Sequence, residues 1–412
     1  MYRWWITFCL SLSVLCVGYG SSAYAGAYKS LSAEFHVSTE VALLGLTLFL
    51  LGFAFGPLVW APVSEMYGRR TPLLLGFLLF GMFHLPCALS TNIQTILISR
   101  FLSGIGGSCP LATAGAVLAD IWDNTERGKP MAIYSLTPMI GTVVAPIASG
   151  YISEYLPWQW HFYSMFIFSM LLFFLLSIFL PETYAPLLLT HRAQALRKKL
   201  LNDRYSSQHE ETNLTLRQQL RVALTRPFVL IAKEPMLLCL SLYMAFVYGI
   251  LYLTFEEFPI VFQALRGWTP GVSGFGFLGI AVGMVLAVVI GNTIQDWFYL
   301  KAMDPATSQI PPEARLMSCI GGAVLLPLGL WWFAWTATPP THWMVPLLGT
   351  VPFGAGMIII FLGITNYIVD AYLLYAASAI ASSSFLRCVA GAAFPLFGLQ
   401  MFGALGIPGA TS

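Results

Sequence analysis

Apolar runs of eighteen or more residues recur along nearly the whole chain, and they constrain its fold more than any other feature. A helix of about 20 apolar residues crosses a bilayer whose hydrocarbon core is about 30 Å thick. Only 9% of the residues are charged and 58% are hydrophobic, whereas soluble domains carry about a quarter charged residues. The pattern therefore predicts an all-α membrane protein and argues against a soluble domain. It gives no indication of a nucleic-acid partner.

The runs predict eleven membrane-spanning helices, six before and five after a polar stretch of about fifty residues. The predicted ranges are 4–25, 41–63, 72–90, 94–120, 131–154, 160–180, 235–257, 271–292, 316–337, 343–368 and 376–402. We divide the chain into an N-terminal six-helix bundle at 1–180, a cytosolic linker loop at 181–234 and a C-terminal bundle at 235–412. The first run imitates a secretory signal peptide, but it is longer than a usual signal core and many spans follow.

The basic residues predict the orientation of these spans. With the N-terminus in the cytosol, most lysines and arginines fall on the cytosolic side, and only Lys29 and Arg266 fall in loops on the outer side. Short cytosolic loops carry an excess of basic residues in membrane proteins. We therefore expect a multi-pass protein with a cytosolic N-terminus, in the plasma membrane rather than the vacuolar membrane.

The turn at residues 61–72 concentrates charge between two spans. It carries a carboxylate, a glycine and two adjacent arginines: Glu65, Gly68, Arg69 and Arg70. Such a cluster cannot lie in hydrocarbon, so the chain must surface here. We expect Thr71 to cap the next helix and Pro72 to lie in its first turn. The simplest alternative is a basic cytosolic turn with no further role.

The second half of the chain repeats this arrangement weakly. A shift of 231 positions places Glu65 on Asp296 and Arg70 on Lys301, in the turn after the second helix of each half. Duplicated halves around a central cavity are an architecture of transporters. The seven cysteines fall in apolar runs without paired spacing, and the six histidines are scattered. We therefore expect neither disulfides nor a metal site.

Two arginines fall inside predicted spans. An unpaired guanidinium within a bilayer costs at least a few kcal/mol, so such residues usually have a partner and a function. Arg100 either has a role in proton coupling or extends to the outer interface. Arg387 is about 16 Å into its helix at 1.5 Å per residue. It must face the bundle interior, a cavity or an acidic partner, and a purely structural buried pair is the alternative.

Acidic and aromatic residues indicate a pathway for a substrate. Glu256 and Glu257 are predicted at the outer end of one span, and Asp120 and Asp370 at the inner ends of two others. Such groups attract cationic substrates or bind protons when they are desolvated, or are simply solvated. Aromatic side chains such as Tyr248 and Tyr252 could line a pocket for planar or cationic compounds, or anchor helices at the membrane interface.

Several segments together resemble the major facilitator superfamily, and within it the fungal drug:proton antiporters that export polyamines, fungicides and toxins. The loop motif at 52–70 has Glu65 in the acidic position, and the basic helix motif is ArgPheLeuSerGlyIleGlyGly at 100–107. The other matching segments are 158–162, 181–186, 248–259, 366–372 (with Asn366) and 394–397. The resemblance covers essentially the whole chain.

The resemblance implies two bundles that rock about a site at the membrane midplane, with a proton gradient and no cofactor. It implies that Glu65, Arg69 and Arg70 lock the cytosolic gate against the start of the eleventh helix, near Ala377 and Ser378. It also implies an antiporter bend in the fifth helix, formed by Gly141, Pro146 and Gly150. Here the chain departs from the family, because Thr142 replaces a proline and Ala145 and Ser149 replace glycines.

The family has a twelfth helix, which is not found before Ser412, so a truncated chain with an open second half is expected. The first functional prediction is a monomeric, proton-coupled exporter of a hydrophobic or cationic small molecule. The alternatives are uptake or facilitated diffusion of a small metabolite on the same fold, and a remnant that transports nothing. No phosphate-binding loop or nucleophile elbow is found in the sequence, so no enzyme activity is expected.

Overall fold

The computed structural model describes residues 2–123, 126, 128–200, 207, 216–301 and 311–411. In the N-terminal part the helices are α1 (Tyr2–Ser22), α2 (Tyr28–Glu34), α3 (Thr39–Tyr67), α4 (Arg70–Met82), α5 (His84–Ala88), α6 (Ile93–Ile121), α7 (Gly128–Tyr155) and α8 (Gln159–Phe179). Two linker helices follow, α9 (Ala185–Leu200) and α10 (Leu216–Lys233). The C-terminal helices are α11 (Pro235–Phe258), α12 (Pro270–Ser273), α13 (Leu278–Lys301), α14 (Leu316–Thr336), α15 (Met344–Tyr372) and α16 (Ala376–Thr411).

Within the described residues, 11 helical segments are long and apolar enough to cross a membrane. The prediction of an all-α protein with eleven spans is therefore confirmed. The third span is α4 followed directly by α5, and the eighth begins as the short α12 and a 3₁₀ turn before α13. Helix α16 breaks at Gly406, whose φ of 69° lies in the left-handed region.

The polar stretch between the two sets of spans contains two helices, which the sequence prediction of a solvated loop did not anticipate. Helix α9 ends on the basic residues Arg197, Lys198 and Lys199, and positive charge at a helix C-terminus is favourable. Helix α10 packs against α3 and α16. We call the end of the bundle that carries α9 and α10 the linker end, and the other end the far end.

Contacts between the two sets of spans occur at both ends. Toward the linker end α3 packs on α16, where the rings of Phe55 and Phe385 lie 5.3 Å apart. Nearer the middle of the bundle, the hydroxyl of Thr47 in α3 donates to the carbonyl of Ala392 in α16 at 2.9 Å. At the far end α7 packs on α12 and α13. The two sets of spans thus enclose the space between them.

The predicted repeat of the charged turn lies at the end of α13. Asp296 and Lys301, the predicted counterparts of Glu65 and Arg70, have side chains outside the described part of the structure.

Candidate functional site

The charged turn between α3 and α4 is held by a carboxylate from a distant segment. Gly68 has φ of 87°, a conformation that favours glycine. The backbone N–H groups of Arg69 and Arg70 donate to the two carboxylate oxygens of Glu182 at 2.9 and 3.1 Å. The N–H groups of Thr183 and Tyr184 donate to the same carboxylate at 3.0 and 2.9 Å. A negative charge here also complements the positive N-terminal end of α4.

The expectation that Thr71 caps this helix is wrong, because α4 begins at Arg70 and Glu182 accepts its first amide protons. Glu182 belongs to the segment 181–186 that matched the family, but no role was assigned to it from sequence. A glutamate next to a proline directly after a long apolar run was the available signal. The amide of Arg69 that it accepts from is 113 residues away in the chain, and nothing in the sequence indicated this contact.

Arg69 connects the turn to the end of the fourth span. Its Nε lies 3.5 Å from the Asp120 carboxylate, its Nη1 donates to the Ser64 hydroxyl at 2.8 Å, and its guanidinium lies 4.6 Å from the Tyr184 ring centre. Arg70 donates to the carbonyl of Ser177 at 2.8 Å. Asp120 is therefore half of an ion pair rather than a freely solvated carboxylate.

The C-terminal set of spans contains the matching pair. Arg315, just before α14, donates from Nε to the Asp370 carboxylate at 3.0 Å. Asp120 and Asp370 end the fourth and tenth spans, and Arg69 and Arg315 lie in the turns after the second and eighth. Each set of spans thus has an arginine–aspartate pair at the linker end that occupies the same place in its order of helices.

In the described part of the structure, Glu65 does not make the polar contact with the start of the eleventh span that the family resemblance implied. It is exposed, and the described residues contain no ion pair to it. No hydrogen bond between Glu65 and Ala377 or Ser378 is recorded among them, although α3 does pack on α16. A gating role for Glu65 stays a prediction.

A comparison of two carboxylates tests which one organises this turn. We expect Glu182→Ala to lower the unfolding free energy by about 1–2 kcal/mol, because four backbone amides lose a charged acceptor. Glu65→Ala is the matched control, and its effect should stay within about 0.5 kcal/mol at an exposed position. Thermal unfolding in detergent measures both. A larger effect at Glu65 would contradict this assignment.

Arg100 lies at the centre of the N-terminal set of spans and is 1% exposed. Its guanidinium donates to the carbonyls of Gly20 at 3.0 Å, Gly45 at 3.2 Å and Ser21 at 3.5 Å. It also lies 4.3 Å from the ring centre of Phe49. The alternative that Arg100 extends to the outer interface is therefore wrong, and its partners are backbone oxygens rather than a carboxylate.

Two tyrosines link this centre to the C-terminal spans. The hydroxyl of Tyr252 donates to the Ser21 hydroxyl at 3.0 Å, and the hydroxyls of Tyr248 and Tyr252 lie 3.4 Å apart. Arg387 follows, with its guanidinium 5.2 Å from the Tyr248 ring centre. Arg100, Ser21, Tyr252 and Tyr248 thus form a hydrogen-bonded series across the interface between the two sets of spans, and the guanidinium of Arg387 lies against the ring of Tyr248.

A cavity adjoins this chain and encloses about 500 Å³ of space, including space open to solvent. Both sets of spans line it, with Ser21, Phe53, Met139 and Thr142 from one and Tyr248, Phe361 and Arg387 from the other. Asn366 of α15 is half-buried and is not among the lining residues.

The buried carboxylates of α11 differ from their predicted setting. The helix does not end at Glu257 but continues as a π-helix from Pro259 to Leu265. Glu256 and Glu257 are each 2% exposed, so the alternative of solvated side chains at a helix end is wrong. Glu257 accepts a hydrogen bond from the Thr411 hydroxyl, whereas neither carboxylate oxygen of Glu256 has a hydrogen-bond partner among the described residues.

Close helix approach at the far end depends on small residues of α7. A side chain at Gly141 would overlap the carbonyl of Leu15 in α1, and one at Gly150 would overlap the carbonyl of Pro270 in α12. Pro146 and Gly150 also line a second cavity of about 750 Å³ of space not filled by atoms. The carboxylate of Glu154 accepts from the N–H of Gly271 at 3.1 Å, which ties the two sets of spans together here.

A bulky residue at Gly150 should hold the far end open. We expect Gly150→Leu to lower transport at least about fivefold, since overpacking of a close contact costs about 1–3 kcal/mol. Gly321→Leu is the matched control, because open space surrounds Gly321. The measurement is the transport rate together with labelling of a cysteine introduced at Ser153, with the exposed Cys239 replaced by serine. Unchanged labelling would contradict the expectation.

Two sets of membrane-spanning helices around a shared cavity, with ion pairs at one end and close contacts at the other, are the features of a membrane transporter. The sequence profile of the Major Facilitator Superfamily matches residues 10–395, and the chain belongs to this family.

Relatives and solved structures agree with this. The chain is 41% identical over 412 residues to "Efflux pump FUBT" of Fusarium oxysporum, covering 100% of this chain and 69% of the relative. It is 44% identical to "MFS-type efflux pump MFS2" of Trichophyton rubrum, with the same coverage. Its fold resembles the xylose transporter XylE from E. coli in a partially occluded inward-open conformation, with a TM-score of 0.70, 19% identity and coverage of 99% and 96%.

Proposed function

We propose that the protein is a proton-coupled exporter that carries a small apolar molecule from the cytosol outward by alternating access. The cavity shared by the two sets of spans is the single observation that carries this proposal. Export is supported by relatives whose names describe efflux pumps. The linker end then faces the cytosol, in keeping with its basic residues, and the protein acts as a monomer in the plasma membrane.

Glu256 is our proposed proton-binding residue. An ionised carboxylate held away from water without a hydrogen bond costs several kcal/mol, and a bound proton removes that cost. The carboxylate packs against Gly398 of α16, and the N–H of Leu399 lies nearby without hydrogen-bond geometry. A site that is buried in one conformation and hydrated in another would bind and release one proton per cycle.

The titratable groups around Glu256 do not compete for this role. Glu257, next to it on α11, already accepts from Thr411. Tyr28 faces Glu256 from α2, and burial, with a smaller contribution from the Glu256 charge, raises the pKa of Tyr28 to about 12. The tyrosine is therefore neutral at physiological pH.

A cationic or polyamine cargo is a second candidate, favoured by the buried carboxylates Glu256 and Glu257. Neither of them lines the central cavity, however, where the charged side chain is that of Arg387. Uptake or facilitated diffusion of a metabolite on the same fold has no separate observation in its favour.

Transport into and out of proteoliposomes tests the proposal. A panel of radiolabelled apolar compounds with anionic, neutral and cationic head groups would be loaded, and efflux followed with and without a proton gradient. We expect at least one compound to move against its concentration gradient only while the proton gradient is present. Transport that does not respond when a protonophore collapses the gradient would contradict proton coupling, and counterflow in the opposite direction would favour uptake.

A further inference from the structure

Arg387 and Arg100 are the two buried arginines in the described part of the chain, and their surroundings differ. The side chain of Arg387 is 7% exposed, yet its Nε has no hydrogen-bond partner. Its guanidinium lies against two aromatic faces, 4.8 Å from the ring centre of Phe361 and 5.2 Å from that of Tyr248. The thiol of Cys388, which is at best a weak acceptor, also lies close to the guanidinium. Arg100, by contrast, donates to three backbone carbonyls.

The unsatisfied guanidinium borders empty space. Arg387 lines the central cavity and also a smaller neighbouring one, and the two share Met139, Tyr248 and Phe361. No aspartate or glutamate is among the described residues that line either cavity. The nearby Tyr134 hydroxyl is occupied, because it donates to the carbonyl of Leu111 at 2.6 Å. The space beside Arg387 is therefore positively charged, and the protein supplies no counter-charge within it.

A carboxylate is the group that such a site binds best. The planar guanidinium presents parallel N–H donors that match the two oxygens of a carboxylate, and the attraction to a guanidinium that is only 7% exposed is stronger than in bulk solvent. The rings of Phe361 and Tyr248, with Met139, provide apolar surface beside it. A cationic head group at the same place would be repelled by Arg387.

We propose that the central cavity is a site for an amphipathic organic anion, whose carboxylate pairs with Arg387 and whose apolar body lies against Phe361, Tyr248 and Met139. This rests on the proposed function, in that it makes such an anion the cargo. The charge of this head group is opposite to that of the cationic cargo, which the sequence suggested alongside a hydrophobic one.

Three probes that differ only in their head group test the charge preference. Binding of 4-butylbenzoate, 4-butylbenzamide and 4-butylbenzylammonium to the purified full-length protein would be followed by the shift in thermal unfolding. We expect the benzoate to bind at least about tenfold more tightly than the other two, because a charge-assisted bidentate pair is about twice as strong as a neutral hydrogen bond. An amide or ammonium that binds as tightly, or a benzoate that produces no shift, would overturn the proposal.

Variants of Arg387 locate the effect. Arg387→Gln should weaken benzoate binding about tenfold, and Arg387→Lys by less, since an ammonium keeps the charge but loses the fork of donors. Arg226→Gln is the matched control, because Arg226 is an exposed arginine of the linker helix α10. Unchanged benzoate affinity in Arg387→Gln would overturn the assignment. Should Arg387→Gln fail to fold, the binding of the three probes to the unmodified protein still tests whether the site prefers an anion.

Two further measurements distinguish an inorganic anion from an organic one, and the anion-site proposal from the proposal of proton-coupled export. If chloride shifted thermal unfolding as much as benzoate did, the site would be one for an inorganic ion, and this would contradict an organic cargo. Efflux that ignores the proton gradient would contradict proton-coupled export while leaving benzoate binding intact. Conversely, equal binding of all three probes would contradict the anion site and leave the export proposal standing.

Discussion

Glu256→Gln should remove the dependence of efflux on the proton gradient, lowering gradient-driven transport at least about tenfold, because the amide cannot bind and release a proton. Burial without a hydrogen-bond partner is what singles out this carboxyl. The neutral amide resembles the protonated acid in shape, so the protein should still fold and still exchange cargo down its gradient. Downhill exchange with lost uphill transport is the specific signature of a coupling residue.

The measurement is efflux from proteoliposomes of whichever panel compound the unmodified protein moves fastest, with and without a protonophore. Glu257→Gln is the matched control. This neighbour is equally buried but has the Thr411 hydroxyl as a partner, so its replacement should leave the response to the gradient in place. If Glu257→Gln abolished coupling and Glu256→Gln did not, the proton site would have been assigned to the wrong carboxylate.

Arg100→Leu should be the most destabilising single substitution among the site residues, with a loss on the order of 3 kcal/mol, since hydrogen bonds to a charged group are lost and a buried space is left. The guanidinium joins α1, α3 and α6 through carbonyls of the first two helices. The stability of Arg100→Lys should lie between that of the unmodified protein and that of Arg100→Leu, because one ammonium cannot reach the three carbonyls that the forked guanidinium reaches.

Unfolding in detergent measures the loss, and Arg3→Leu serves as the control. Arg3 makes an ion pair with Asp123 at 3.6 Å, with 52% of its side chain exposed, and exposed pairs contribute only about 0–1 kcal/mol. Transport by Arg100→Lys should also fall, since the Ser21 carbonyl that Arg100 holds belongs to the residue that Tyr252 contacts. Equal stability of the Arg100→Leu and Arg3→Leu variants would contradict the structural role assigned to Arg100.

The set of spans was predictable because it depends on local composition. About 20 consecutive apolar residues form a helix that crosses the bilayer whatever surrounds it, and charged turns must lie outside the hydrocarbon. That argument located the eleven spans and the Arg69–Arg70 turn. It failed for the linker, where α9 and α10 form despite a polar sequence, and at Glu257, where the helix continues through a π-helical segment.

The partners of the charged residues were decided by the tertiary structure alone. Hydropathy shows that Arg100, Arg387 and Glu256 lie among apolar residues, but not which neighbour faces them, because that depends on how the helices cross and how closely they approach. Packing brings backbone carbonyls to Arg100, a carboxylate 113 residues distant to the amide of Arg69, and no acceptor to Nε of Arg387. Composition along the chain thus determined what must cross the membrane, whereas the contacts between helices determined which buried charges are satisfied and which remain available for a proton or a cargo.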